Sequence, residues 1–353
     1  MEPAGFAGGE ICEWDRFMKR FFFLLFLCLP LLLLSGCAEK EASCECFAMD
    51  TVMQLRAYGP QAAAALDAAE QEIYRLEGLL SCQDPEAELA RCNTGSETVS
   101  EETAALIQTA LDLSAATGGA YDPTLYPLTL AWGFSGGQYR VPDEAELSAL
   151  RTQTGAEHVQ VDGCRVRLDA GTQLDLGGIA KGYAGGCVKE IFEKYGCTGV
   201  IDLGGDVMLA GKKTDGKDWR VAVKDPNDPS DFLGTLTLSD CAVVTSGIYE
   251  RNFTEDGVLY HHIIDPATGR PAESGLVSAT VVCADGAYAD ALSTAAFVLG
   301  ARDAVSLCDR FGTETPLLEL LLVTDDGRVL CTAGLDGIFE PNTESGYLYE
   351  QLS

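Results

Sequence analysis

The chain has 353 residues, 47% of them hydrophobic, and a formal charge of −30. That length supports one large domain or two ordinary ones around a sizeable core, and the acidity excludes nucleic acid, whose binding needs a basic surface. An anionic small ligand on so acidic a protein calls for a cation or an amide-rich pocket beside it, although acidity also serves solubility alone.

In chain order, Met18-Lys19-Arg20 precedes an apolar run from Phe21 to Leu34, followed by Ser35-Gly36-Cys37. A basic segment, an apolar segment and a small-residue cleavage site read as an export signal. The run is about 14 residues, short for a membrane span of roughly 20. The Leu-Ser-Gly-Cys ending resembles a bacterial lipobox, which implies cleavage before Cys37 and acylation of its thiol; Met18 is the expected true start. The expected division is a signal peptide over 1–36, a lipidated cysteine and tether over 37–46, and one α+β domain over 47–345. The protein is then exported and anchored by Cys37 to the outer face of the bacterial cell membrane, or on its periplasmic side. The other cysteines show no metal-type spacing, and Cys44-Glu45-Cys46 alone cannot build a four-ligand zinc site.

Phe47 to Ala57 reads as a strand. Gln61 to Leu80 reads as a helix, with Leu66, Ala69, Ile73, Leu76 and Leu80 at helical spacing. Ser100 to Thr117 is a second helix with Ser100 as N-cap and Gly118-Gly119 as its stop. Tyr121 to Gly137 reads as loop, Asp143 to Thr152 as a short helix, and Val159 to Leu168 as a hairpin turning at Asp162-Gly163. Leu174 to Tyr195 is a Gly-rich turn leading into a helix. Strands are expected at 199–203, 207–210, 219–223, 234–238, 242–246, 258–264, 277–282 and 318–323, and helices at 286–300 and 301–311. No repeat or linker divides the chain, so one α+β domain is the simplest account.

Four stretches carry chemistry. In Leu174-Asp175-Leu176-Gly177-Gly178-Ile179-Ala180-Lys181-Gly182-Tyr183, glycines at a helix mouth let backbone amides approach a phosphate; a plain strand-to-helix turn reads the same way. Asp202-Leu203-Gly204-Gly205-Asp206 allows a second close approach, with Asp206 as an acceptor, or is an ordinary hairpin turn. Two of the three histidines are adjacent in Tyr260-His261-His262-Ile263-Ile264-Asp265-Pro266. On a strand one faces the core and the other a cleft, where it suits general-base work; both could also simply hydrogen-bond in the core. Asp290 and Thr294 lie four apart on one helix face, where two hard oxygens suit Mg²⁺, or where Asp290 complements the helix dipole.

The succession of Ala48-Met49-Asp50-Thr51, Trp132-Gly133-Phe134, Asp175 to Tyr183, Gly204-Gly205-Asp206, Thr245-Ser246-Gly247, His262-Ile263-Ile264-Asp265-Pro266 with Thr268-Gly269, and Ala289-Asp290 with Thr294 closely resembles the ApbE family, over nearly the whole chain after Cys37. The resemblance implies a T-fold-related α+β architecture and a flavin transferase that moves FMN from FAD onto a Thr or Ser hydroxyl of an acceptor flavoprotein, with Mg²⁺ as cofactor and AMP released. Acceptors of this family are typically exported or membrane-bound flavoproteins of respiratory electron transfer. It implies Asp290, Thr294 and the Ala180 carbonyl as metal ligands, and His262 as general base. It implies FAD contacts at Met49, Trp132, Gly133, Phe134, Gly177, Tyr183, Asp206 and Ile264. Cys82-Gln83 stand where family members often carry an aromatic residue against the flavin. Two other functions share these residues: FAD hydrolysis to FMN and AMP, and FAD binding by a non-catalytic lipoprotein.

Overall fold

A computed structural model describes residues 41–228, 230–312 and 317–352. The export signal and Cys37 lie outside the described residues. The main sheet has nine strands whose spatial order is their chain order. They are β1 (Glu41–Ala48), β2 (Thr51–Tyr58), β3 (Thr198–Asp202), β4 (Val207–Ala210), β5 (Ala242–Gly247), β6 (Leu276–Cys283), β7 (Leu318–Thr324), β8 (Arg328–Cys331) and β9 (Leu348–Gln351). All neighbours are antiparallel except β8 and β9.

The single strand expected over 47–57 is instead a hairpin. Met49 and Asp50 both take positive φ, 49° and 60°, as a two-residue turn matching strand twist requires. Neither residue advertises that turn, and alternation of burial continues through both strands. Pairing therefore begins at Glu41 and the segment read as tether up to 46 is partly sheet; at the other end β9 carries the sheet past 345.

Seven helices are described: α1 (Ala62–Leu80), α2 (Glu88–Asn93), α3 (Glu101–Ala116), α4 (Tyr126–Trp132), α5 (Glu144–Arg151), α6 (Gly177–Lys194) and α7 (Gly286–Phe311). Leu66, Ala69, Ile73, Leu76 and Leu80 of α1 are all buried, as their spacing predicts. Ser100 caps α3 by accepting from the Thr103 N–H at 3.2 Å. The stretch read as loop over 121–137 contains α4, opened by Pro127 in its first turn and stopped by Gly133. The two helices expected at 286–300 and 301–311 are one helix kinked at Gly300.

One sheet face packs on α1, α3, α6 and α7 in the main core. The other packs on a three-stranded sheet formed by 219–224, 232–238 and 339–341, through Trp219, Leu233, Leu236, Val282 and Leu321. Strand β6 lies between these layers and is buried along its whole length. Helix α7 is long and apolar enough to cross a membrane; here Ala291, Leu292, Ala295 and Phe297 are buried in the core.

The site depends on one crossing. A Cβ on Gly182 of α6 would stand 2.0 Å from the Gly286 carbonyl oxygen, and one on Gly286 of α7 would stand 2.3 Å from the Gly182 oxygen. Only glycine at both positions lets the backbones meet so closely, and that contact brings the mouth of α6 against the first turns of α7.

Candidate functional site

A cleft of about 330 Å³ opens where the β1–β2 turn, the end of α1, the mouth of α6, the end of β5 and the start of α7 converge. Its edge is held by Glu77 of α1, whose Oε1 accepts from the strained Met49 N–H at 2.7 Å. Strain in a turn persists where the surroundings over-determine it, and here a half-buried hydrogen bond does so at the cleft wall.

The floor is a charge cluster. Asp290 is 3% exposed; its Oδ2 accepts from the Gly182 N–H at 3.0 Å, across the helix crossing. Lys181 pairs with Asp206 and lies 3.9 Å from Asp290 Oδ1. Burial by itself would lower the Lys181 pKa, but Asp206, Asp290 and Glu250 outweigh it and hold the ammonium charged. Burial raises the Asp290 pKa, against the pull of Lys181 and with the push of Asp206. Glu250, on the cleft rim and more exposed, is pushed up to about 7 by surrounding protein atoms, with Asp206 and Asp290 adding to the rise. Three carboxyl groups thus share the Lys181 ammonium, with the Arg251 guanidinium also acting on Glu250. That excess of negative charge, with the Thr294 hydroxyl also lining the cleft, fits a hard divalent cation bound by oxygen.

Hydroxyl groups order the adjoining wall. Ser246 Oγ is 2.8 Å from Ser293 Oγ and 3.2 Å from Thr294 Oγ1, while Ser293 donates to the Asp290 carbonyl at 2.8 Å. The side chains of β5 and α7 are therefore mutually positioned before any ligand arrives.

The two adjacent histidines face different surroundings, but not by alternation along a strand, because the strand ends at His261 and His262 lies in the bend beyond it. His261 is buried, with Nε2 3.2 Å from the Ala272 carbonyl and its ring edge-on to Phe297. His262 faces the cleft, and its Nδ1 has no partner among the described residues. Burial, then the charge of Arg251, lowers its pKa to about 3, so the imidazole is neutral. The strand expected over 258–264 is broken to achieve this: Val258–His261 pairs with Asn252–Glu255, while Ile264–Asp265 pairs with Arg270–Pro271.

Met49, Phe134, Gly177, Ala180, Asp206, His262, Ile264, Asp290 and Thr294 line the cleft. Gly177 contributes surface and not a free amide, because its N–H is donated to Asp175 Oδ1 at 2.8 Å. Two further amides of the turn are engaged, since Ile179 and Ala180 both donate to the Leu176 carbonyl. Trp132, Gly133 and Tyr183 stand outside the cleft wall. Trp132 is fully buried and donates from Nε1 to the Gly269 carbonyl at 2.8 Å; it packs beneath Phe134 and Tyr260. Gly133 ends α4, where a Cβ would strike the Gln138 carbonyl. Tyr183 lies two residues beyond Lys181, about 200° around the helix, and donates to Glu102 Oε1 at 2.9 Å on the opposite side of α6.

Tyr121, Asp175, Glu250 and Arg251 also line the cleft, and the sequence assigned none of them a role. Asp175 stands inside the Gly-rich motif and accepts from Gly177 two residues on, whereas no local spacing marks Tyr121, Glu250 or Arg251.

The family model described as ApbE family matches residues 49–317. A FAD:protein FMN transferase of Vibrio cholerae is 34% identical over 313 residues, covering 84% of this chain and 92% of that protein. One of Treponema pallidum is 33% identical over 317 residues, covering 81% and 85%. Among solved structures, the ApbE protein of Thermotoga maritima superposes with a TM-score of 0.80 at 33% identity, covering 85% of this chain and 99% of that one. Flavinyl transferase ApbE of Pseudomonas stutzeri, in its apo form, gives 0.75 at 29%, covering 85% and 97%.

Proposed function

The chain belongs to the ApbE family, and from that premise we propose that it transfers FMN from FAD to a Ser or Thr hydroxyl of an acceptor flavoprotein, with release of AMP. The observation that carries this reading is the carboxylate cluster of Asp206, Glu250 and Asp290 around Lys181, in a cleft that also presents His262. A pyrophosphate is repelled by such a cluster unless a cation joins it. Asp290, Thr294 and the Ala180 carbonyl are the proposed ligands for Mg²⁺. Bound there, Mg²⁺ would offset the pyrophosphate charge and stabilise the AMP leaving group.

His262 is the proposed base. Arg251 and Lys181 help to depress its pKa, and an incoming phosphate anion offsets both charges. The ring takes the hydroxyl proton while that oxygen attacks the phosphorus bearing FMN, and the bond to the AMP phosphate breaks. Met49, Phe134, Gly177, Asp206 and Ile264 are proposed to shape the FAD cavity, with Trp132 and Gly133 supporting Phe134 from behind.

Export and lipidation at Cys37 belong to the same proposal and rest on the Met18 to Cys37 pattern. Acceptors on the same side of the membrane, in respiratory electron transfer, are the expected partners.

The test is to incubate the protein with FAD, Mg²⁺ and an exported flavoprotein domain, then weigh the acceptor. A gain of one FMN supports transfer. Free FMN and AMP with an unmodified acceptor would show hydrolysis instead, and unchanged FAD would show binding alone.

A further inference from the structure

Tyr121 is 3% exposed, and its phenol oxygen is buried with no hydrogen-bond partner among the described residues. A buried polar group left without a partner forfeits its hydration for nothing, so this oxygen marks a place where a partner is missing. The residue lines the cleft. Its ring lies over the mouth of α6: Cε2 is 3.2 Å from where a Cβ on Gly178 would stand, and Thr294 Oγ1 is 3.7 Å from the same point. Burial, and then the charges of Asp290, Asp175 and Asp122, drive its pKa well above that of an ordinary phenol. The group is therefore neutral at any physiological pH and offers an O–H.

We propose that Tyr121 is a substrate-binding residue whose hydroxyl donates to a non-bridging oxygen of the FAD pyrophosphate. This rests on the FMN-transfer reading of the same cleft. The position favours the pyrophosphate over either ring system of FAD, because the phenol stands beside Gly178 and Thr294, at the end of the cleft where the acidic cluster calls for a cation. It also adds to what the mouth of α6 offers. The amides of Gly177, Ile179 and Ala180 are already committed to protein oxygens, so a phosphate there draws on side-chain donors. A phosphate acceptor makes such a bond stronger than a neutral one.

Tyr121→Phe removes the oxygen and keeps the ring. The dissociation constant of FAD, and the inhibition constant of ADP competing with FAD, are measured with saturating Mg²⁺ for both proteins. The melting temperature is measured without ligands. We expect both constants to rise about tenfold or more, as for a hydrogen bond to a charged group, while the melting temperature stays level or increases because an unsatisfied group is gone. An FAD constant within twofold of the parent overturns the proposal. So does an ADP constant that stays put while the FAD constant rises, since the bond would then be to another part of FAD. So does a fall in melting temperature, which would mean that the hydroxyl has a structural partner. These readings need no turnover, so failure of the parent protein to modify any acceptor would refute the transfer reading alone.

Discussion

Asp290→Asn separates the two tasks assigned to this carboxylate. Asp290 closes the α6–α7 crossing by accepting from Gly182, and it carries a buried charge. Asparagine keeps an acceptor oxygen and loses the charge. Alanine would leave the Gly182 N–H unsatisfied at a cost of about 1–3 kcal/mol; asparagine avoids that, and Lys181 keeps Asp206. Burial raises the Asp290 pKa above its unfolded value. Between the two pKa values the folded protein holds the extra proton, so the associated stability is present in acid and lost as pH rises through the folded pKa. The variant escapes that loss. Its melting temperature without metal at pH 8 should equal or exceed the parent's. Addition of Mg²⁺ should reverse the ranking: at a hundred times its dissociation constant a ligand stabilises by about 2.7 kcal/mol, a shift of several degrees. The variant should gain little of this and show no FMN transfer. Thermal scans with and without Mg²⁺, beside acceptor mass, are the assay. An equal Mg²⁺-dependent rise in both proteins, or full turnover of the variant at saturating FAD, would refute the assignment.

His262→Gln should slow transfer roughly 10²–10⁴-fold with FAD affinity within twofold; single-turnover kinetics and a binding titration check this, and an unchanged rate removes His262 as the base. Glu250→Gln should flatten the dependence of melting temperature on pH. The Glu250 pKa is raised from 4.5 to about 7, so its contribution fades as pH rises across that window; solvent at the rim reduces the size but not the sign. Scans at pH 5 and pH 8 that move in parallel for variant and parent would contradict this. Gly182→Ala should lower the denaturant midpoint by the equivalent of about 1–3 kcal/mol, because its Cβ would stand 2.0 Å from the Gly286 oxygen; an unchanged midpoint would mean that the crossing yields freely.

The burial of Leu66, Ile73 and Leu76, and the Ser100 cap, were legible because each depends on residues within a few positions. The hairpin at Met49-Asp50 was hidden because its turn lacks the Asn or Gly that marks such turns. Helix α4 was hidden inside a Pro- and Gly-rich stretch that reads as loop.

The same division runs through the site. Asp290 and Thr294 share a face by helical spacing, so that pair could be read from the chain alone, whereas His261 and His262 part because the strand ends between them. Ordered motifs pointed to the family, and the comparisons established it. Only the tertiary structure could show that Lys181 is held by Asp206, that Gly182 donates to Asp290 across 108 residues, or that Tyr183 turns to the far side of α6. It alone left the Tyr121 hydroxyl without a partner among the described residues. Periodicity and caps are properties of short segments, whereas burial, charge coupling and unmatched polar groups exist only once distant segments share one low-dielectric space.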